Sequence, residues 1–360
     1  MGAVAMWTAW LITRCVEQAA KVVPEEERRG EPLGWPTIGQ AVAGAYGKAG
    51  VKVVFLLVLW AGTLSYLVVN GGNLQILFPQ VPLQWLIVFS GFVVFVTLHV
   101  PSKFLQYFSL LGIVATVMVA GSVVIAGLEL PDTPDASDYQ VLALGKVPQA
   151  ASTILFCFVS HAVVPSIYTS MTESKRESFL TVSAVSFSIA GVVYLTVGVV
   201  AYYFFADFTL DNVAGNVGRD LDMHPIASCG FLRVVLSGIL ATKLQATFPL
   251  LCTPLLRAGE AALSIKGEDD AMLTRLVLRF CLVSFTTIVA VLLRDHMSDI
   301  VSLTGAICAT STAIIFPTAF YAKLYCQQLN VWQFLPLGIA CSAGVFIMVT
   351  GAKSAIQGMI

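Results

Sequence analysis

The sequence predicts an all-α protein that crosses a membrane many times, and three observations carry that reading. Hydrophobic residues fill 57% of the 360 positions and charged residues only 11%, with a mean hydropathy of +0.84, against about 25% charged in an average soluble domain. The apolar residues are gathered into blocks near the length that a bilayer core requires of a helix. Short polar connections separate them: Glu25-Glu26-Glu27-Arg28-Arg29, Asp132 to Asp138, Asp207 to Asp222 and Lys266 to Asp270. The same composition excludes a disordered chain, which would be poor in hydrophobics and rich in charge. A net charge of −1 offers no basic surface to a nucleic acid.

Ten blocks follow one another in a single transmembrane domain over 1–360: 2–20, 51–78, 83–100, 103–128, 149–171, 178–205, 226–256, 273–293, 297–322 and 331–352. Helices are the expected form, because a spanning segment must satisfy its own backbone polar groups. The basic residues set the orientation. With the loop after the first block placed in the cytoplasm, fourteen of the 20 Lys and Arg fall on the cytoplasmic side, among them Arg28, Arg29, Lys103, Lys175 and Arg176. The opposite side holds Lys146, Arg219, Arg294 and Lys353, while Arg233 and Lys243 lie within a span. This places the N-terminus outside. A chain with no basic stretch ahead of its first apolar block carries no signal-peptide pattern, so one further span is expected ahead of residue 1. The eight cysteines lie widely apart, mostly inside apolar runs and without metal-ligand spacing. They read as small hydrophobes, and neither metal nor cofactor is expected.

Two kinds of irregularity single out candidate site residues. The first is the broken helix. In 149–171 the stretch from Ile154 to Pro165 holds Phe158, Ser160 and the one midspan histidine, His161. Pro165 has no N–H and crowds the carbonyl four residues back, that of His161, and freed polar groups in a membrane must face protein or a cavity. Asn70-Gly71-Gly72-Asn73 weakens the second block toward its outer end, Pro249 and Pro254 interrupt the seventh, and Pro317 lies in the ninth. Interrupted helices are how secondary transporters build substrate sites, although a proline kink is also common in membrane helices.

The second irregularity is charge within a span. No Asp or Glu lies mid-span, but Lys243 sits near the centre of 226–256, four residues before Thr247. A charge there costs roughly 2.5–3.5 kcal/mol on insertion scales. Lys243 is therefore a fixed cation replacing a coupling sodium ion, a proton carrier, or a lysine that snorkels to an interface. His161 titrates near neutral pH when unperturbed and either couples to protons or stays neutral and bonds a neighbouring helix. Tyr168 and Met171 read as packing residues.

Residues 154–171, ILFCFVSHAVVPSIYTSM, resemble the sixth transmembrane helix of the amino acid/auxin permease family, closest to plant-type vacuolar amino acid transporters and the vesicular inhibitory amino acid transporter. TKLQATFP at 242–249 resembles that branch's eighth helix, Trp60 to Pro79 its third, Glu173 to Phe205 its seventh and Val301 to Pro317 its tenth. Leu11 to Cys15 and Pro36 to Gly39 are similar to the second helix and the loop after it. The resemblance covers nearly the whole chain. It implies a five-plus-five inverted-repeat transporter fold with one extra helix, in which the first helix of the first repeat is absent from this sequence. It implies a secondary active transporter of neutral or small amino acids, coupled to protons rather than sodium, in a vacuolar or vesicular membrane rather than the plasma membrane. Phe158, Ser160, His161, Tyr66 and Asn70 would bind substrate; Lys243, Thr247 and His161 would couple transport to the ion; Pro165, Pro249, Gly71 and Gly72 would be the breaks and hinges. The alternative is a membrane amino acid sensor or scaffold, or a transport-incompetent truncated isoform. An enzyme is disfavoured by the lack of mid-span carboxylates, and a channel by the lack of a charged ring or filter repeat.

Overall fold

Why each apolar block becomes a helix is evident from what its backbone does in the computed structural model, which describes residues 2–28, 33–100, 108–140, 142–210, 212–263 and 271–359. The protein is 85% helical, with no strand among the described residues. Apart from the single turn Glu25–Arg28, the α-helices among the described residues are, in chain order, α1 (Gly2–Val22), α2 (Trp35–Leu77), α3 (Leu83–Thr97), α4 (Phe108–Leu128), α5 (Val147–Cys157), α6 (Val164–Ser170), α7 (Phe179–Phe205), α8 (Gly230–Ala262), α9 (Ala271–Leu292), α10 (Met297–Thr304), α11 (Phe316–Leu324) and α12 (Val331–Met359). Among the described residues six helical segments are long and apolar enough to cross a membrane: Trp35–Leu77, Glu173–Phe208, Ala227–Ala262, Met272–Leu292, Arg294–Leu324 and Val331–Met359. The first residues of block 103–128 and the Lys266 to Asp270 connection lie outside the described residues.

The chain divides into two compact units. One comprises Met1–Val58, Leu144–Val192 and Ser298–Ile360; the other comprises Leu59–Ala143 and Val193–Met297. In the first, α1 packs on α11 and α6, and α5 packs on α12. Ala5, Ala9 and Ala19 let α1 approach its neighbours closely, and Ile12 and Val16 fill the same buried face. The core joins Ile12, Cys15 and Val16 to Trp35, Ile38, Val164, Tyr168 and Phe179, with Met171 packed against it. Tyr168 and Met171 are thus packing residues as read. The Tyr168 hydroxyl also donates to Glu17, whose other carboxylate oxygen meets Arg14 at 3.0 Å.

Between α10 and α11 the chain passes through two π-helical turns, Gly305–Ala309 and Ser311–Ile315. The Thr310 hydroxyl takes the Gly305 carbonyl five residues back at 2.8 Å, which suits the wider turn. This stretch is the most enclosed: 72% of the apolar part of Arg294–Leu324 is buried, against 11% for Glu173–Phe208.

In the second unit α8 packs on α4, and α9 packs on α3. Trp60 donates its indole N–H to Thr286 at 3.1 Å and stacks on Phe285. Val123, Ala126, Ala201, Phe205, Val217 and Leu236 form the core. Asn216 ties the connection ahead of α8, accepting from the Leu210 amide and donating to the Phe208 carbonyl, both at 2.9 Å.

Two expectations about breaks are corrected. Helix α2 begins at Trp35, so Pro36 to Gly39 are helical rather than a loop, and it runs without interruption through Gly71 and Gly72. Its one break is at Ala43 (φ −141°, ψ 27°) and Gly44 (φ 60°, ψ −146°), a region open essentially to glycine. A Gly-Gly pair lowers helix propensity, but here packing overrides it, with a Cβ on Gly71 only 2.5 Å from Ile87 Cγ1. Helix α8 likewise continues through Pro249 and Pro254.

The break at Gly44 brings two helical turns into backbone contact. A Cβ on Gly47 would lie 2.2 Å from the Gly39 carbonyl oxygen, and backbone cannot step aside as a side chain can. Gly47→Ala is expected to lower stability by about 1–3 kcal/mol, measured as the thermal unfolding midpoint of detergent-purified protein. Gly50→Ala, which meets open space, is expected to leave the midpoint unchanged or slightly raised.

Candidate functional site

The chain is interrupted just ahead of Pro165. Helix α5 ends at Cys157, Phe158 leaves helical geometry (φ −97°, ψ 17°), Val159–Ala162 form a 3-10 turn, and α6 resumes at Val164 with Pro165 in its first turn. Block 149–171 is thus two short helices of 11 and 7 residues. The Val163 amide bonds the Ser160 carbonyl at 3.0 Å. Pro165 cannot donate, and the His161 carbonyl accepts instead from the Trp35 indole N–H at 3.1 Å.

The His161 ring is fully buried and held on three sides. Nδ1 lies 3.1 Å from the Phe158 carbonyl; Nε2 lies 3.0 Å from the Ala5 carbonyl and 2.9 Å from the Thr8 hydroxyl. The ring stacks on Phe187 at 5.5 Å and 24°. Two protonation states fit these neighbours. In the neutral ring Nδ1–H donates to Phe158 and the Thr8 hydroxyl donates to Nε2. In the charged ring both nitrogens donate, to Phe158 and to Ala5, while the Thr8 hydroxyl turns to the Val4 carbonyl at 2.9 Å. In the neutral ring the Nε2 lone pair also faces the Ala5 carbonyl, so losing the proton exchanges a hydrogen bond for a contact between two acceptors. Phe158 is buried and Ser160 is exposed on the same turn.

The other candidates belong to the second unit. The Lys243 ammonium sits 5.9 Å above the Tyr66 ring, whose edge meets Phe248 at 5.8 Å. Lys243 is half-buried, and no carboxylate pairs with it among the described residues. The Thr247 hydroxyl donates to the Lys243 carbonyl at 2.8 Å, so its place is to cap the turn that carries the lysine. Asn70 is 2% exposed and donates to Ser90 at 2.8 Å and to Gln245 at 3.1 Å, leaving its carbonyl oxygen without a partner. This amide cluster edges a cavity of about 420 Å³ with apolar walls that include Leu74, Phe89 and Val93.

The structure thus brings Tyr66 to Lys243, and Lys243 to Thr247, but gathers Asn70 into a separate polar cluster. Sequence reading missed Thr8, Trp35 and Phe187 around His161, and Ser90 and Gln245 around Asn70. A threonine or tryptophan in an apolar block signals nothing by itself; its partner is fixed only by packing.

The family described as transmembrane amino acid transporter protein matches over residues 1–360. The chain is similar to amino acid transporter AVT1J of Arabidopsis thaliana, at 28% identity over 98% of this chain and 80% of that one. It is similar to amino acid transporter AVT1I of the same plant, at 24% over 99% and 85%. A Bos taurus relative, provisionally named sodium-coupled neutral amino acid transporter 11, is 23% identical over 83% of this chain and 66% of its own. A multi-pass helical chain with an interrupted, histidine-bearing helix and a family match along its whole length belongs to the transmembrane amino acid transporter family, whose members move amino acids across membranes.

Proposed function

We propose that the chain carries neutral or small amino acids by alternating access around the interrupted helix at 154–171, coupled to protons, in a vacuolar or vesicular membrane. The ten blocks from 2–20 to 331–352 are the spans in this reading. The observation that supports it most is His161, buried at the interruption with hydrogen-bond partners for both its neutral and its charged form. Phe158 and Ser160 on the same turn, with Tyr66 and Asn70, are the proposed substrate contacts. The names of the plant relatives support the amino acid substrate. Pro165, beside the interruption, is the proposed hinge.

Lys243 with Thr247 is the proposed coupling group. A cation–π contact contributes about 0.5–2 kcal/mol, less than the roughly 2.5–3.5 kcal/mol that a mid-membrane charge costs. The balance favours a lysine that meets water or exchanges its proton. The bovine relative's name speaks for sodium, so the test carries both gradients.

In proteoliposomes of the purified chain, uptake of labelled alanine is expected to follow an imposed pH gradient and to ignore a sodium gradient at constant pH. Binding without uptake under either gradient would support the sensor reading instead. Lys243→Met is expected to cut pH-driven uptake about tenfold, near 1.4 kcal/mol of coupling, while reconstituted amounts stay level. Equal loss of both quantities removes Lys243 from coupling. Lys243→Arg separates the roles: retained uptake marks a fixed cation, and lost uptake a proton carrier.

His161→Gln keeps a donor and an acceptor but cannot take up a proton. Uptake by this variant is expected to depend less on pH than uptake by the unaltered chain. An unchanged pH profile removes His161 from the proton path.

A further inference from the structure

The last turns of α2, the connection before α8 and the first turn of α8 enclose a cavity of about 520 Å³, separate from both constellations above. Gly72, Gln75 and Pro79 line one wall and Met223 another; Arg219 and Arg233 both line it as well. The two guanidinium charges lie near enough to repel. Among the described residues no carboxylate pairs with either. Asp220, the neighbour of Arg219, is turned to His224, accepting its amide at 2.7 Å and lying 3.5 Å from its Nδ1. The Nε of Arg233 is shielded from solvent and has no hydrogen-bond partner.

This pair is built in, not an accident of two mobile side chains. Gly218 has φ 73°, and a Cβ there would meet the Cys229 carbonyl at 3.2 Å and the Arg233 Cβ at 3.3 Å. The connection therefore lies directly on the Arg233 stem. The Ile226 amide bonds the Gly218 carbonyl at 2.9 Å, and the Asp220 amide bonds the His224 carbonyl at 3.0 Å. Arg219 is thereby held in a closed turn beside Arg233. Two guanidinium forks presented to one cavity suit the planar, two-oxygen groups of carboxylates and phosphates. The cavity falls in the range of about 300–1,000 Å³ typical of small-molecule sites, and its partly apolar wall admits more than a bare ion. The orientation read from the basic residues puts this cavity on the non-cytoplasmic face.

We propose that Arg219 and Arg233 form an oxyanion site that takes the carboxylate of a free amino acid or the phosphate of an anionic lipid headgroup. This binding is independent of coupling, so it stands or falls apart from the transport reading.

The test is the thermal unfolding midpoint of the purified full chain in uncharged detergent, titrated with sodium acetate and with inorganic phosphate against chloride at equal ionic strength. The midpoint is expected to rise with acetate or phosphate and not with acetamide, the uncharged analogue, a control that needs no variant. Arg219→Gln and Arg233→Gln are each expected to weaken the response about tenfold or more, and the Lys variants to weaken it less. A second arm names the source. A rise with alanine in phosphatidylcholine nanodiscs that the double Gln variant loses marks the amino acid carboxylate; a rise on adding phosphatidylglycerol that the double Gln variant loses, with none for alanine, marks the headgroup. No rise with any of these probes, or an equal rise in the double Gln variant, overturns the proposal.

Discussion

One missing hydrogen organises the first unit. Pro165 has no amide proton to give, and the helix that carries it runs through packed protein where an unpaired carbonyl costs about 1–3 kcal/mol. Helix α5 stops at Cys157, the chain tightens into a 3-10 turn, and α6 restarts at Val164 with Pro165 in its first turn, where a proline is tolerated. The His161 carbonyl finds its donor in Trp35, 126 residues away in sequence. The interruption turns the His161 ring into α1, where Ala5 and Thr8 receive it. Each bond ties a different helix to the turn, α1 through the ring and α2 through the carbonyl. A rearrangement of this turn must therefore exchange bonds with both.

The second unit handles polarity differently. Its helices stay continuous through Gly71, Gly72, Pro249 and Pro254, so its polar groups are side chains and not freed backbone. Asn70, Ser90 and Gln245 satisfy one another, except for the one Asn70 oxygen left over. Lys243 rests on Tyr66 with a contact too weak to cover the cost of its charge. His161 in the first unit is sealed among hydrogen bonds, whereas Lys243 in the second is left partly open.

The helical class and the site of the main interruption were legible in the sequence because each has a local cause. Apolar blocks need nothing beyond themselves to become helices in lipid. A proline removes the same hydrogen bond wherever it sits, so the His161 carbonyl could be named in advance. Lys243 stood out because a charge in an apolar run is conspicuous. What was not legible depends on partners distant in sequence. Trp35 lies between the first two apolar blocks, beside Pro36 to Gly39 read as a loop, although that stretch is helical and its break is confined to Ala43 and Gly44. Gly71 and Gly72 looked like a break because propensity is local, whereas the close approach of Ile87 that requires a small residue at Gly71 is not. Arg219 and Arg233 are fourteen positions apart in blocks read separately, and only the turn at Gly218 makes them one site.

The central claim is that Trp35 supplies the hydrogen bond that Pro165 takes away. A double-mutant cycle measures this directly, through thermal unfolding of the purified chain in detergent. Trp35→Phe removes the donor and keeps an aromatic ring, and is expected to cost about 1–3 kcal/mol. Pro165→Ala returns an amide N–H to the turn. In that background the same Trp35→Phe change is expected to cost less, with a coupling of about 1 kcal/mol or more. Equal costs in both backgrounds would contradict the account.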